Sequence, residues 1–297
     1  MIDLSGIFPP LTTTFDKEEN LRTDKIRFNI QRLSRHDLSG FLILGSNGEL
    51  VMLSHNEKVE AFHAAREAIE PGRLMLAGTG CESTRETIAL TREAAKAEAD
   101  AALVLNPFYY KGQLTHETLV KHFFAVAEAS SIPVIIYNMP SNSGLDMGAE
   151  TILAISEHPN IIGLKDSGGN LEKMEQVIRN AKPGFQVLAG SAGFLLAALK
   201  LGAVGGILAL ANIAPAQCID IYRLYNEGQL EEAEVLQQKI IELNITVTRK
   251  WGVPALKEAM QHCGLYGGPS RKPLLPLTNE QKEIVFELMK DNQLCVN

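Results

Sequence analysis

One lysine occupies a position where an amine could act as a nucleophile. Lys165 ends the apolar segment IIGLK, in which its ammonium group would be partly removed from water. Removal from water lowers the pKa of a lysine, and a neutral amine can attack a ketone to form a Schiff base. The resulting iminium withdraws electrons, so a bond to the next carbon can break or form. The position would equally suit a lysine that reaches solvent from a strand end or pairs with a carboxylate such as Asp166.

Two further segments offer groups that such chemistry needs. Tyr137 ends another apolar segment, and its phenol could relay a proton to or from a substrate. A buried tyrosine whose hydroxyl is satisfied by the backbone has the same pattern. The segment GSNGE, residues 45–49, offers closely spaced backbone donors, the Ser46 hydroxyl and the Asn47 amide, which together suit a carboxylate. An ordinary turn between a strand and a helix would also contain these residue types.

The glycine, histidine and cysteine patterns indicate no nucleotide or metal site, but two glycine-rich segments leave one alternative open. The spacing of Gly78 and Gly80 does not fit the GxGxxG turn of dinucleotide sites. The histidines form no metal-binding pattern, and the widely spaced cysteines argue against a zinc site or a disulfide framework. We therefore expect no cofactor and no metal. The glycines in 190–193 and 205–206 leave a phosphate site open as a rival interpretation.

Composition excludes several classes of protein. The chain has 297 residues, 45% hydrophobic and 21% charged, which is enough to bury a large core in one domain. Its formal net charge is −7 with no basic block, so the chain is not expected to bind nucleic acid. The longest apolar stretch, Ala203 to Ala214, is interrupted by glycines and Asn212, so no membrane span is predicted.

The candidate residues are positioned by a repeated pattern of apolar and amphipathic segments. Eight apolar runs of strand length alternate with segments of helical periodicity, for which Ser54, Ser83 and Thr115 are predicted N-caps. The runs are Ile7–Thr12, Gly40–Leu44, Leu74–Ala77, Ala101–Leu105, Pro133–Tyr137, Ile161–Lys165, Gln186–Ala189 and Gly205–Leu208. Eight such units predict an α/β fold, a (β/α)8 TIM barrel, although an open doubly wound sheet shares the local pattern.

The last part of the chain follows a different pattern. From Pro215 onward only helices are predicted, so residues 1–214 form the barrel and residues 215–297 a helical extension packed on it within one domain. In a TIM barrel the functional residues gather at the carboxyl ends of the strands. Lys165, Tyr137 and the 45–49 segment are therefore expected at one face, where Glu49 is expected to brace its own loop.

Taken together, these segments resemble a known family. The motifs GSNGE, YNMP, GLKDSG and LAGSAG, in this order and spacing, are similar to those of the dihydrodipicolinate synthase and N-acetylneuraminate lyase superfamily. The resemblance covers nearly the whole chain and implies that Lys165 forms an imine with pyruvate while Tyr137 shuttles protons. It also implies that Ser46 takes part in catalysis and, with Asn47, holds the pyruvate carboxylate. By the same resemblance, Gly190 and Ile207 line the pocket.

The resemblance has consequences for assembly. Family members place a tyrosine from the loop after the fourth strand into a partner's site, and counting from Pro107 this is Tyr109, with Tyr110 as the alternative. The implied assembly is a homodimer or homotetramer that acts on small molecules, pyruvate and an aldehyde. No transit peptide is recognisable in the sequence, so the cytoplasm is the expected location.

One departure from the family indicates which aldehyde is used. Asn142 stands where dihydrodipicolinate synthases carry the arginine that holds the second substrate's carboxylate. Several segments, among them VTRKWGVPALK, look closer to 4-hydroxy-2-oxoglutarate aldolases, in which Ser167 would contact the distal end of the substrate. The expected activity is cleavage or formation of a 4-hydroxy-2-oxo acid. The alternatives are 4-hydroxy-tetrahydrodipicolinate synthase, a 2-keto-3-deoxy sugar-acid aldolase, a phosphate-binding barrel isomerase and a non-catalytic binding barrel.

Overall fold

Eight parallel strands form the centre of the molecule. The computed structural model describes residues 2–294. The strands are β1 (Gly6–Phe8), β2 (Gly40–Ile43), β3 (Leu74–Gly78), β4 (Ala101–Leu105), β5 (Val134–Asn138), β6 (Ile161–Asp166), β7 (Gln186–Ala189) and β8 (Gly205–Ile207). Each strand from β2 to β7 pairs with the strand that follows it in the chain, and β8 also pairs with β1.

The sheet closes between its first two strands. Pro10 and Leu42 form a parallel bridge, in which the Leu42 amide donates to the Pro9 carbonyl at 3.0 Å and the Leu11 amide donates to the Leu42 carbonyl at 2.9 Å. Because both edges of the sheet are joined in this way, the open doubly wound alternative is wrong. The predicted TIM barrel is confirmed.

Helices follow the strands around the barrel. They are α1 (Thr23–Leu33), α2 (His55–Arg66), α3 (Thr84–Lys96), α4 (His116–Ala129), α5 (Pro140–Ser143), α6 (Ala149–Ser156), α7 (Leu171–Asn180), α8 (Leu195–Leu201), α9 (Pro215–Asn226), α10 (Leu230–Ile245), α11 (Gly252–His262) and α12 (Asn279–Asp291). The side chains of Ser54, Ser83 and Thr115 accept hydrogen bonds from backbone amides three residues later. These bonds satisfy amides that have no partner within the helix, so the three predicted N-caps are confirmed.

The strands bury both of their faces, which is why their sequences are apolar throughout. One cluster fills the barrel and includes Phe8, Leu42, Leu103 and Tyr137. A second and larger cluster lies between the strands and the surrounding helices. The site described below lies at the carboxyl ends of these strands, where the inner cluster stops.

The C-terminal helices pack on the barrel. Helix α9 contacts β1 and α8, and α10 contacts α9 and a short turn at Ala192–Phe194. Helix α10 continues into a π-helical segment, Thr246–Lys250, which contacts the turn Ala209–Asn212 that follows β8. The division of the chain at residue 214 stays a prediction.

Two remaining expectations concern membranes and cysteines. Within residues 2–294, no helix combines the length and the apolar character that crossing a membrane requires. Cys81 and Cys218 are free thiols. Cys263 is disulfide-bonded, which the spacing of the cysteines did not predict.

Candidate active site

Neighbouring strands bring Lys165 and Tyr137 into contact. The two residues are partners in the register of β5 and β6, and the Lys165 Nζ lies 4.2 Å from the centre of the Tyr137 ring. Lys165 is 2% exposed and Tyr137 is 4% exposed. Burial lowers the pKa of the Lys165 amine, and the adjacent Tyr137 phenol partly opposes this shift. The protein therefore holds an amine that gives up its proton more easily than a surface lysine.

A β-bulge makes Lys165 face the barrel interior. Val134 pairs with Ile161, but Ile135 pairs with Gly163, so Ile162 is an extra residue in β6. Counting alternately from Ile161, which belongs to the outer cluster, would direct Lys165 outward. The extra residue reverses the alternation beyond it, and Lys165 therefore lies beside Tyr137 of the inner cluster.

Asp166, the acidic residue next to Lys165 in the sequence, binds other side chains. Asp166 is fully buried, accepts a hydrogen bond from Asn138 Nδ2 at 2.9 Å and pairs with Lys173 at 3.2 Å. Lys173 also pairs with Asp146. The interpretation of Lys165 as the partner of Asp166 is wrong, because the two side chains lie on opposite faces of β6.

Ser46 joins the pair through its hydroxyl group. The Ser46 Oγ lies 3.1 Å from the Tyr137 Oη, within hydrogen-bonding distance. Ser46 begins a single 3-10 turn, Ser46–Gly48, and the half-buried Asn47 follows it. A serine hydroxyl, a phenol and a buried amine thus form a chain of groups that can exchange protons.

Charged and polar side chains hold the turn that carries Ser46 in place. Glu49 is buried and has a left-handed backbone conformation (φ 55°). Its carboxylate forms a 2.6 Å ion pair with Lys257 and accepts a hydrogen bond from the Arg271 backbone amide at 2.8 Å. Thr13 Oγ1 donates to the Gly48 carbonyl at 2.6 Å. These contacts agree with the bracing role expected of Glu49.

A cavity of about 220 Å³ opens at this end of the barrel. Ser46, Tyr137 and Asn142 line it, so the structure brings three predicted site residues together. The other lining residues are Leu44, Gly45, Leu50, Val51, Gly78, Leu103, Leu105, Phe108 and Ser143. Phe108 and Ser143 were not predicted as site residues. The sequence offers one signal for them: Phe108 is next to Tyr109 and Ser143 is next to Asn142, and both pairs follow the end of a strand.

Lys165 and Asn47 are not among these lining residues, and Ser167, Gly190 and Ile207 also lie outside the lining. Ser167 Oγ is 3.4 Å from the Gly190 carbonyl, and a Cβ on Gly190 would lie 2.6 Å from the Asp166 carbonyl and against the Ser167 hydroxyl. Ile207 is fully buried inside the barrel. The glycine at 190 is therefore explained by close packing of β6 and β7, which removes the main support for a phosphate site there.

The two tyrosines after β4 are placed differently. Tyr109 is 74% exposed and Tyr110 is 72% exposed, and their rings meet edge to face with centroids 5.0 Å apart. Neither side chain lines the cavity of its own chain. In the part of the chain from 2 to 294, no group of three or more His, Cys, Asp or Glu side chains is placed to hold a metal ion.

Comparison with known proteins identifies the family of this arrangement. Residues 3–292 match the model of the Dihydrodipicolinate synthetase family. The chain is 36% identical over 292 residues to a probable mitochondrial 4-hydroxy-2-oxoglutarate aldolase of Emericella nidulans, covering 97% of this chain and 94% of the relative. It is 34% identical over 300 residues to the L-threo-3-deoxy-hexylosonate aldolase of Hypocrea jecorina, covering 96% and 95%. It is 32% identical over 278 residues to a 4-hydroxy-tetrahydrodipicolinate synthase of Methanothrix thermoacetophila, covering 93% of each chain.

Solved structures agree with this assignment. A dihydrodipicolinate synthase from Bacillus anthracis superposes with a TM-score of 0.93 at 28% identity, covering 98% of this chain and 99% of that one. The prophage protein YagE of Escherichia coli K12, solved in complex with pyruvate, gives a TM-score of 0.92 at 28% identity with the same coverage. Both the sequence and the architecture are therefore shared over nearly the full length. The chain is accordingly a carbon–carbon lyase of the class I aldolase type and belongs to the Dihydrodipicolinate synthetase family.

Proposed function

We propose that this enzyme cleaves and forms a 4-hydroxy-2-oxo acid of the 4-hydroxy-2-oxoglutarate kind, with pyruvate as one product. The observation that carries the proposal is the contact of the buried Lys165 amine with Tyr137, whose hydroxyl lies 3.1 Å from Ser46. A buried amine supplies the nucleophile, and the adjacent phenol can accept or donate the protons that imine chemistry requires. In this proposal no cofactor or metal takes part.

The reaction follows from these groups. The neutral Lys165 amine attacks the 2-oxo carbon, and loss of water gives an iminium. Tyr137 takes the proton of the substrate 4-hydroxyl, the bond between carbons 3 and 4 breaks, and its electron pair moves into the iminium to form an enamine. The aldehyde leaves. Protonation of the enamine at carbon 3 and hydrolysis of the imine release pyruvate and restore the Lys165 amine.

Binding of the pyruvate carboxylate is assigned to the 45–49 turn. Ser46, with its hydroxyl and amide, and Asn47, with its amide, are the proposed donors, since closely spaced donors of this kind suit an anion. Gly190 and Ile207 are proposed to limit the pocket around the imine. Ser167 is the proposed contact for the distal part of the substrate.

The choice of aldehyde rests on Asn142 and on the relatives. Asn142 lines the cavity and offers a neutral amide, without the charged planar fork that an arginine would give a carboxylate. This disfavours aspartate semialdehyde as a partner. The Emericella nidulans relative supports 4-hydroxy-2-oxoglutarate, whereas the Hypocrea jecorina relative supports a 2-keto-3-deoxy sugar acid as the second candidate.

Borohydride trapping tests the proposal directly. The enzyme is incubated with pyruvate, reduced with borohydride, digested and analysed by mass spectrometry, and Lys165→Met is treated in the same way as the matched control. We expect the mass gain of a reduced pyruvate imine on Lys165 alone. Turnover of 4-hydroxy-2-oxoglutarate, a deoxy sugar acid and aspartate semialdehyde is measured in parallel. No adduct at Lys165 would refute the proposed mechanism, and faster condensation with the semialdehyde would refute the argument from Asn142.

Assembly and location form the remaining part of the proposal. The exposed Tyr109 and Tyr110 suit contact with a second copy of the chain, so we expect a homodimer or homotetramer in which Tyr109, or in its place Tyr110, completes the partner's site. Sedimentation of the wild type and of a Tyr109→Ser, Tyr110→Ser double variant tests this. We propose the cytoplasm as the location. The Emericella nidulans relative is named mitochondrial, and cell fractionation distinguishes the two compartments.

A further inference from the structure

Lys111 is an exposed residue outside the cavity lining, and its ammonium group has no acidic partner among residues 2–294. Lys111 belongs to the short turn Lys111–Gln113 that follows the two exposed tyrosines. A Cβ on Gly144 would lie 3.0 Å from the Lys111 Cε and closer still to its Nζ, so the end of the lysine packs directly on the Gly144 backbone. Gly144 has φ 64° and ends α5. A side chain at this position would be strained and would displace the ammonium.

This contact places Lys111 next to the wall of the cavity. The two residues that precede Gly144, Asn142 and Ser143, both line the cavity. Across residues 2–294 the Lys111 ammonium makes no side-chain hydrogen bond and no ion pair. A cation with no acidic partner keeps its charge available for a ligand.

The cavity needs such a charge if its substrate carries two carboxylates. The lining residues include no lysine or arginine, and Asn142 is neutral. In the proposed reaction Lys165 is consumed in the imine, and the pyruvate-derived carboxylate occupies the 45–49 turn. We place a second carboxylate, at the aldehyde end, in the part of the cavity lined by Asn142 and Ser143, where no lining side chain is a cation. Burying a carboxylate without a cation is costly.

We propose that Lys111 binds the carboxylate of the aldehyde component and so selects short anionic aldehydes of the glyoxylate type over uncharged aldehydes derived from sugars. The inference rests on the proposed function and deepens it, because it assigns the charge of the second substrate to one side chain. The flexible lysine chain can turn from the Gly144 backbone toward the cavity when that carboxylate arrives.

Arg249 supplies a matched control. This exposed residue of the π-helical segment also has no ion pair in the described chain, and its Nη2 would lie 3.9 Å from a Cβ on Gly169, in the loop after β6. Gly169 does not line the cavity. Arg249→Gln therefore removes one positive charge from the same end of the barrel without removing the proposed receptor.

The experiment measures condensation of pyruvate with glyoxylate and with glyceraldehyde for the wild type, Lys111→Met, Lys111→Arg and Arg249→Gln. We expect Lys111→Met to raise the KM for glyoxylate by about tenfold, as loss of one charge-assisted contact does, and to leave the KM for pyruvate unchanged. Glyceraldehyde kinetics should change less than about twofold. Lys111→Arg should keep most of the preference for glyoxylate, and Arg249→Gln should keep all of it.

Several results would overturn the inference. These are parallel losses for glyoxylate and glyceraldehyde, an unchanged glyoxylate KM in Lys111→Met, or an equal effect of Arg249→Gln. Borohydride trapping of pyruvate by each variant separates this inference from the proposed function. If Lys165 traps pyruvate in Lys111→Met but the preference is unaltered, only the assignment of Lys111 fails. If no adduct forms in the wild type, the proposed function fails first.

Discussion

Tyr137 and Lys165 are paired across β5 and β6, and the lysine Nζ lies 4.2 Å from the centre of the tyrosine ring. The ring face is the negative side of the aromatic quadrupole and attracts the ammonium form, whereas burial favours the neutral amine. The net result is a lowered pKa of Lys165, which shows that burial has the larger effect. Burial of Lys165 therefore favours the reactive neutral amine but lowers the stability of the folded protein.

Replacing Lys165 with Met tests that balance. Burial disfavours the charged form of Lys165, a free-energy cost of folding that an apolar side chain does not have, so the free energy of unfolding and the Tm should rise in Lys165→Met, the Tm by about 2 °C or more. Activity should fall by at least about 1000-fold because the nucleophile is gone. Thermal denaturation and steady-state kinetics measure the two effects. A lower Tm in the variant would show that burial of the lysine does not destabilise the fold.

Replacing Tyr137 with Phe separates the ring from the hydroxyl. The ring contact with Lys165 is kept, but the proton relay and the 3.1 Å contact with Ser46 are lost. We expect kcat to fall by about 100-fold, the usual contribution of a general acid or base. Ser46→Ala serves for comparison and should mainly raise the KM for pyruvate. Equal kcat in Tyr137→Phe and the wild type would exclude the phenol from proton transfer.

Gly190 is predicted to tolerate no side chain. A Cβ there would lie 2.6 Å from the Asp166 carbonyl and press on Ser167, so Gly190→Ala forces the ends of β6 and β7 apart. Overpacking of this kind costs about 1–3 kcal/mol in the free energy of unfolding. Gly112→Ala is the control, since nothing lies within 4 Å of its Cβ position. Urea denaturation should show a loss in the first variant and almost none in the second.

The buried ion pair of Glu49 and Lys257 predicts that substitutions of these two residues have strongly non-additive effects on the free energy of unfolding. Lys257→Met leaves the Glu49 carboxylate buried without its 2.6 Å partner, and such a loss costs about 3–5 kcal/mol. Adding Glu49→Gln removes the unpaired charge and should recover much of the stability. A double-mutant cycle by chemical denaturation measures the coupling. Additive effects of the two substitutions would show that the pair does not stabilise the turn.

His122 should make the protein sensitive to mild acid. Burial lowers its pKa from about 6.5 to about 4, and its Nδ1 lies 2.9 Å from Thr84 Oγ1. As pH falls from 6.5 to 4 the unfolded chain takes up a proton that the folded chain does not, so stability is lost by about 3 kcal/mol across this interval. In His122→Gln this loss should disappear, whereas the exposed His55→Gln should keep it. Denaturation at pH 7 and pH 4 measures the difference.

Much of the fold could be predicted because its signals are local. The eight apolar runs, the N-caps at Ser54, Ser83 and Thr115, and the position of Lys165 at a strand end are all properties of short segments. A segment buried on both faces must be apolar throughout, and a helix needs a side chain to cap its first amides. Once eight such units follow one another, the carboxyl ends of the strands have to form one face, and this brings Ser46, Tyr137 and Lys165 together.

Other features depend on contacts between distant parts of the chain. The extra residue Ile162 in β6 turns Lys165 inward, and nothing in the IIGLK segment reveals it, because a bulge is defined only by the register with β5. The pairing of Asp166 with Lys173 and the packing of Lys111 on Gly144 are likewise absent from local patterns. Sequence spacing tells which residues end a strand, but the direction and charge environment of each side chain are decided only when the strands and loops pack.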